Sequence, residues 1–204
     1  SNVVRSLNAP LDVENDHSDL YKVALDAGYI VFMTRDVQQA YDFHLMAWLI
    51  GLYAEYRPAR LIGPDGRVRR GAIEMIPDRA VMTPVIVGSE GFEVSHAPER
   101  YLALTDAQAR ALYADPAFDY VRRYVFTPNE SIMGALQLSN ARMDTDYQRH
   151  VAMALALEVC ERVFDKFAAA TGRRYGAVQA WNERAPTLFV VAGAAHGTFE
   201  EVAR

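Results

Sequence analysis

The chain has 204 residues, 51% of them apolar, and sets 21 Lys and Arg against 26 Asp and Glu for a formal net charge of -5. That is enough apolar material for one sizeable core, and the basic residues are scattered rather than striped, which argues against a nucleic-acid footprint. No apolar run approaches the roughly eighteen residues of a membrane span and no signal-peptide pattern opens the chain, so a cytoplasmic setting without a membrane span is expected.

The single cysteine, Cys160, leaves no internal disulfide, zinc ribbon or four-cysteine cluster set. Its place within a long amphipathic stretch favours a small buried apolar side chain over a reactive thiol. The chain opens Ser1-Asn2-Val3-Val4 without an initiator Met and closes just after a fresh strand–turn–helix signal. The expectation is a segment of something longer.

Val3 and Val4 are placed at the end of a strand, with Arg5 at its carboxyl-terminal lip, where open parallel sheets take their ligands. An arginine there holds a carboxylate bidentately; pairing with Asp12, Glu14 or Asp16 is the structural alternative. His17 stands between Asp16 and Asp19, a cluster too crowded into one turn to predict a metal site, and a hydrogen bond within the loop is the plainer role. Ser18 or Asp19 caps a helix over Leu20 to Ala27, ended by Gly28.

Tyr29 to Met33 is a continuous apolar run, the pattern of a strand covered on both faces. Asp36 and Gln39 form a capping box for the helix that follows, whose predicted inward stripe is Val37, Tyr41, Leu45, Leu49 and Leu52, widened by Ala40 and Trp48. Strand and returning helix make half of a crossover unit.

From 53 to 82 the pattern lapses into an excursion with a Gly-Pro-Asp-Gly hairpin turn and mostly basic charges. It reads as a lid or an interface. Arg67, Arg69 and Arg70 would meet phosphate or an acidic partner, or simply form a solvated face.

Pro84 to Gly88 is the second continuous apolar strand, and Ser89-Glu90-Gly91-Phe92-Glu93-Val94-Ser95-His96 follows at its carboxyl end. Glu90 is the candidate there for chemistry and His96 for support, each set against a purely structural role. Thr105-Asp106 opens a helix to about Ala114, a second amphipathic piece covers Phe118 to Tyr124, and the stretch from Thr127 reads as an irregular arm. Thr145 and Gln148 form a capping box for the longest helix, Asp146 to Thr171, ended by Gly172, with Val151, Leu155, Val159, Val163 and Phe167 inward. Thr187 to Ala192 is expected as a third strand, turning at Gly193 into a helix whose glycine spacing matches no phosphate-binding fingerprint.

These pieces, in this order, resemble the alpha subunit of the 2-oxoacid:ferredoxin oxidoreductases, the pyruvate:ferredoxin oxidoreductase superfamily. The resemblance is carried by Arg5, then Asp16-His17-Ser18-Asp19, Asp26-Ala27-Gly28, Gln39-Ala40-Tyr41-Asp42, Pro84 to Val87, Glu90-Gly91-Phe92-Glu93-Val94-Ser95-His96, and more loosely Tyr147 to Met153. It implies an α/β fold, an open parallel sheet flanked by helices of the thiamine-diphosphate-binding type. Residues 1–140 would be the second part of the domain that embraces the thiamine pyrimidine, 141–184 a long connecting helix and linker, and 185–204 the start of a second α/β domain.

The resemblance further implies oxidative decarboxylation of a 2-oxoacid with thiamine diphosphate and Mg2+ held mostly by partner chains. Electrons would pass to 4Fe–4S clusters in partner chains, with coenzyme A as co-substrate. The implied partners are a thiamine-diphosphate-binding beta subunit and a ferredoxin-like subunit. Arg5 matches the position of the family's substrate-binding arginine, and Asp16, His17, Glu90 and Phe92 fall on its active-site loops. No residue is assigned a catalytic or metal-binding role. The family's upstream part, with its substrate threonine and cofactor-activating glutamate, has no counterpart in the chain; the 53–82 excursion exceeds the family pattern, and Glu90 replaces an aspartate. A non-catalytic scaffold of such a complex, or an unrelated small-molecule-binding α/β domain, are the competing readings.

Overall fold

The computed structural model describes residues 19–62, 65, 67–91, 93–114, 139–182 and 184–203. Val3, Val4, Arg5, Asp16, His17, Phe92, the 118–124 piece and the arm up to residue 138 lie outside the described residues. Within them the chain is α/β, with a parallel strand pair flanked by helices.

Helix α1, Asp19–Ala27, stops at Gly28, whose φ of 71° only a residue without Cβ adopts freely. Strand β1, Ile30–Thr34, then pairs in parallel with β4, Val85–Ser89, in the register Ile30 with Val85 through Thr34 with Ser89. Between them, α2, Val37–Gly51, returns along the pair and packs on both strands. A parallel pair requires such a crossover because its strands cannot be joined by a tight turn.

The start of α2 follows its sequence in part. The Asp36 carboxylate accepts the Gln39 N–H at 2.7 Å, while the Gln39 amide oxygen accepts the N–H of Arg35, one residue before the cap position expected for a capping box. The buried face is not the predicted one. Gln39, Asp42, Phe43, Met46, Leu49, Ile50 and Gly51 are buried; of the expected stripe only Leu49 is among them, and Trp48 is exposed. The helix is apolar around most of its circumference, so periodicity selects no unique face. What turns Asp42 inward is a set of partners far along the chain. Tyr41 instead accepts the Leu104 N–H on its hydroxyl and sets its ring 4.8 Å from that of Tyr101.

The excursion is the hairpin foreseen. Strand β2, Ala54–Ile62, pairs antiparallel with β3, Val68–Ala80. Its root is stitched to the end of α2: Val81 N–H donates to Tyr53 O at 2.9 Å and Thr83 N–H to Gly51 O at 3.1 Å. Gly51 is required there, since a Cβ would stand 2.9 Å from the Thr83 carbonyl oxygen.

After β4 come the short helix α3, Glu93–His96, and α4, Asp106–Tyr113, the latter opened by the Thr105–Gln108 capping box. The long helix α5, Arg142–Thr171, begins a turn before its predicted start. A 3-10 turn at Ser139–Ala141 feeds straight into it and Arg142 bonds Asp146 one turn on, so Thr145 lies inside the helix rather than capping it. Its buried face, Leu155, Ala156, Val159, Cys160, Val163, Phe164 and Phe167, meets Phe43, Met46, Leu49 and Ile50 in one core. Phe32, Phe43 and Phe164 pack with centroids 5.0 to 6.1 Å apart, in the offset range that aromatic rings prefer.

The strand expected over Thr187 to Ala192 is absent. A strand exists only with a hydrogen-bonded neighbour, and among the described residues none runs beside this segment, leaving Leu188 85% and Val190 88% exposed. The helix expected next is present as α6, Ala194–Ala203. No helix among the described residues is long and apolar enough to cross a membrane.

Candidate functional site

The ends of β1 and β4 lie side by side, and their last side chains are polar. Thr34 is fully buried; its hydroxyl donates to the Gly88 carbonyl at 3.1 Å and lies 2.8 Å from the Ser89 hydroxyl. Two hydroxyls thus finish a parallel pair whose earlier residues are apolar, at the edge where such sheets bind ligands. A Cβ on Gly88 would run into the side chains of Leu20 and Met33, so α1 lies close over this end of β4.

Arg35 leaves the lip directly after β1. Its guanidinium bonds Asp36 at 2.8 Å and also Glu200, a largely buried carboxylate of α6. Burial works against the charge on Arg35, yet the hydrogen bonds and charges of the two carboxylates outweigh it and its pKa is raised. Sequence reasoning gave Arg35 no role, because a contact spanning 165 residues has no local signature.

Glu90 stands at the lip as expected, after Ser89, and its carboxylate accepts the Glu93 N–H, capping α3. His96 is 2.6 Å from the Ser95 hydroxyl, which donates to Gly91 O. Both are engaged structurally; Glu90 directly follows the end of β4, as Arg35 follows that of β1. Arg5, Asp16, His17 and Phe92 lie outside the described residues.

Behind the lip sits the cluster that turns α2. Asp42 is fully buried and accepts two parallel bonds from Arg173, at 2.6 and 2.8 Å, with the Tyr175 hydroxyl at 2.6 Å and the Gln38 amide at 3.2 Å. This bidentate pair is the geometry that makes a buried carboxylate tolerable. The Asp42 hydrogen bond raises the Arg173 pKa, and burial, then Asp42, push the Tyr175 hydroxyl well above its ordinary range. The visible signal was Asp42 within Gln39-Ala40-Tyr41-Asp42, but its partners in Arg173-Arg174-Tyr175 follow a helix of 30 residues.

Among the described residues no group of three or more His, Cys, Asp or Glu is arranged to hold a metal ion. Cys160 is buried, and burial pushes its thiol up to about 12, which makes it the inert side chain expected.

No family model matches the chain. It is similar to the pyruvate synthase subunit PorA of Pyrococcus furiosus, 24% identical over 207 residues that cover 97% of this chain and 43% of that protein. The corresponding subunit of Pyrococcus horikoshii is 23% identical over 198 residues, and that of Thermotoga maritima 25% over 203 residues, covering 98% of the chain and 44% of that protein. The chain therefore spans under half the length of the curated relatives it matches. These likenesses support the resemblance to the alpha subunits of 2-oxoacid:ferredoxin oxidoreductases.

Proposed function

We propose that this chain is part of the alpha subunit of a 2-oxoacid:ferredoxin oxidoreductase, acting with partner chains to decarboxylate a 2-oxoacid oxidatively, pass the electrons to iron–sulfur clusters and deliver the acyl group to coenzyme A. The observation that carries this reading is that relatives named pyruvate synthase subunit PorA align along nearly the whole chain. The ordered succession of these motifs along the sequence supports it.

Thiamine diphosphate, when bound, supplies the electron sink at its thiazolium carbon. Among the described residues no group of three or more His, Cys, Asp or Glu is gathered that would hold the Mg2+-diphosphate end of that cofactor. Its anchoring is assigned to a beta subunit. The task of this chain is to orient the acid. Arg5 is the residue proposed to grip the substrate carboxylate with its planar pair of donors, and Asp16, His17, Glu90 and Phe92 are the loop residues proposed to wall the same cleft.

Reconstitution with the candidate partner subunits tests the reading: thiamine diphosphate and iron should co-purify, and 2-oxoacid-dependent ferredoxin reduction should require this chain. Arg5→Ala should raise the KM for the 2-oxoacid by about tenfold or more with assembly unchanged, the size expected for losing charge-assisted hydrogen bonds. Unaltered kinetics would refute that role. One observation favours a scaffold reading instead: the described arginine at the lip, Arg35, already carries two carboxylates. Full activity in a complex lacking this chain would decide for the scaffold.

A further inference from the structure

Residues 90–96, the turn that carries Glu90 away from the strand ends, include the short helix α3, none of whose residues is buried. With no side chain of α3 in the core, the place of this lip loop depends on what holds its two ends. At the near end the Ser89 hydroxyl lies 2.8 Å from that of Thr34. The far end lies past the loop, in residues 101–104, and is gripped by α2.

Gln38 uses its whole side-chain amide there. The amide oxygen accepts the Leu102 N–H at 2.6 Å, while the amide nitrogen donates to the Leu102 carbonyl at 3.2 Å and to Asp42 at 3.2 Å. The grip on Leu102 copies the paired bonds that a neighbouring strand would give one residue. Three residues on, the Tyr41 hydroxyl accepts the Leu104 N–H at 3.1 Å, and its ring lies 4.8 Å from that of Tyr101. The spacing of Gln38, Tyr41 and Asp42 puts them on one side of the helix.

What α2 holds is backbone. The Leu102 side chain is 69% exposed and Tyr101 50%, so burial fixes neither; among the described residues after β4, Leu104 is the first whose side chain packs on the core, just ahead of the Thr105 cap of α4. Both ends of the lip loop are thus tied to residues 34–41, the turn from β1 into α2, and Gln38 joins that turn to the buried Asp42–Arg173 pair.

We propose that Gln38 and Tyr41 are positioning residues that fix the far end of the lip loop, so that Glu90 and its neighbours keep their place at the strand ends when the 2-oxoacid enters; this role rests on the function proposed above. Neither side chain is assigned a contact with the acid. A loop already in place need not be ordered by the ligand, whereas one that has lost its far anchor must be, at the expense of affinity. Losing the anchor weakens ground state and transition state alike, which raises KM and leaves kcat alone.

Hydrogen exchange of the full chain, resolved by residue, tests the anchor without any activity. Gln38→Leu should speed exchange at Leu102, and Tyr41→Phe at Leu104, by about fivefold or more, the change equivalent to one ordinary hydrogen bond. Both should speed it across 90–100, while the core amides of Val159 and Val163 and the urea midpoint hold. Gln38→Glu is the sharper variant, since it keeps the shape and the acceptor for Leu102 but replaces the donor with an oxygen facing Asp42 and the Leu102 carbonyl. Tyr41→Phe keeps the ring pair with Tyr101 and tests the anchor even where a Gln38 variant does not fold. In the reconstituted complex the same variants should raise the KM for the 2-oxoacid by about threefold to tenfold with kcat unchanged; a general loss of structure would lower kcat through the folded fraction and leave KM as it was. Exchange across 90–100 that ignores all three substitutions overturns the proposal, whatever the enzyme does. So does exchange that quickens there while KM keeps its value in an active complex. A complex inactive with the unaltered chain defeats the proposed function, and with it the link to the acid; the exchange comparison then still decides whether Gln38 and Tyr41 anchor the loop.

Discussion

Removing the Asp42 carboxylate leaves the Arg173 guanidinium facing a fully buried site with no counter-charge. Asp42→Ala should therefore cost about 3 kcal/mol, because breaking one side of a buried pair exposes the full desolvation penalty of the other. Urea unfolding followed by circular dichroism measures it; a loss under about 1 kcal/mol would mean that Arg173 swings into water instead. At the same scale, Cys160 makes a pH prediction. Its folded pKa is raised to about 12 from an unfolded value of about 8.5, so the folded state keeps a proton that the unfolded chain loses. The contribution is complete below the unfolded pKa and declines as pH rises from there toward the folded value. The urea midpoint should fall over that alkaline window, and fall less steeply in Cys160→Ala, while the native thiol should resist disulfide reagents at neutral pH.

Among the elements, Gly51 joins α2 to the hairpin root, and the backbone oxygen that a new Cβ would meet there cannot rotate away. Gly51→Ala should destabilise by about 1–3 kcal/mol, the range for forced overpacking, and a thermal melt reads it directly. Element existence was legible in the sequence wherever apolar runs were bounded by strong punctuation: Gly28 and Gly172 end α1 and α5, and the hairpin turn falls between β2 and β3. Element orientation was not. The face of α2 depends on Arg173 and Tyr175, whose arrival beside Asp42 is a tertiary event that no window of α2 encodes. Thr187 to Ala192 failed for the converse reason, since strand propensity describes a segment and strand formation needs a neighbour.

At the scale of the molecule, the candidate site was half legible. The polar turn at the end of β4 followed from the rule that parallel sheets bind at their carboxyl edges, and Glu90 does stand there. The Thr34–Ser89 hydroxyl pair and the Arg35–Glu200 contact were missed because each joins elements whose adjacency only the fold creates. The core unites α2, β1, β4 and α5, while the hairpin joins it through a clasp of exposed charges that salt weakens.

The entry and exit of that hairpin stand one hydrogen bond apart, Tyr53 O to Val81 N. Insertion at such a point leaves the host chain's path closed on itself. A lineage could thus gain or shed the whole ribbon in one genetic event, passing through no broken fold.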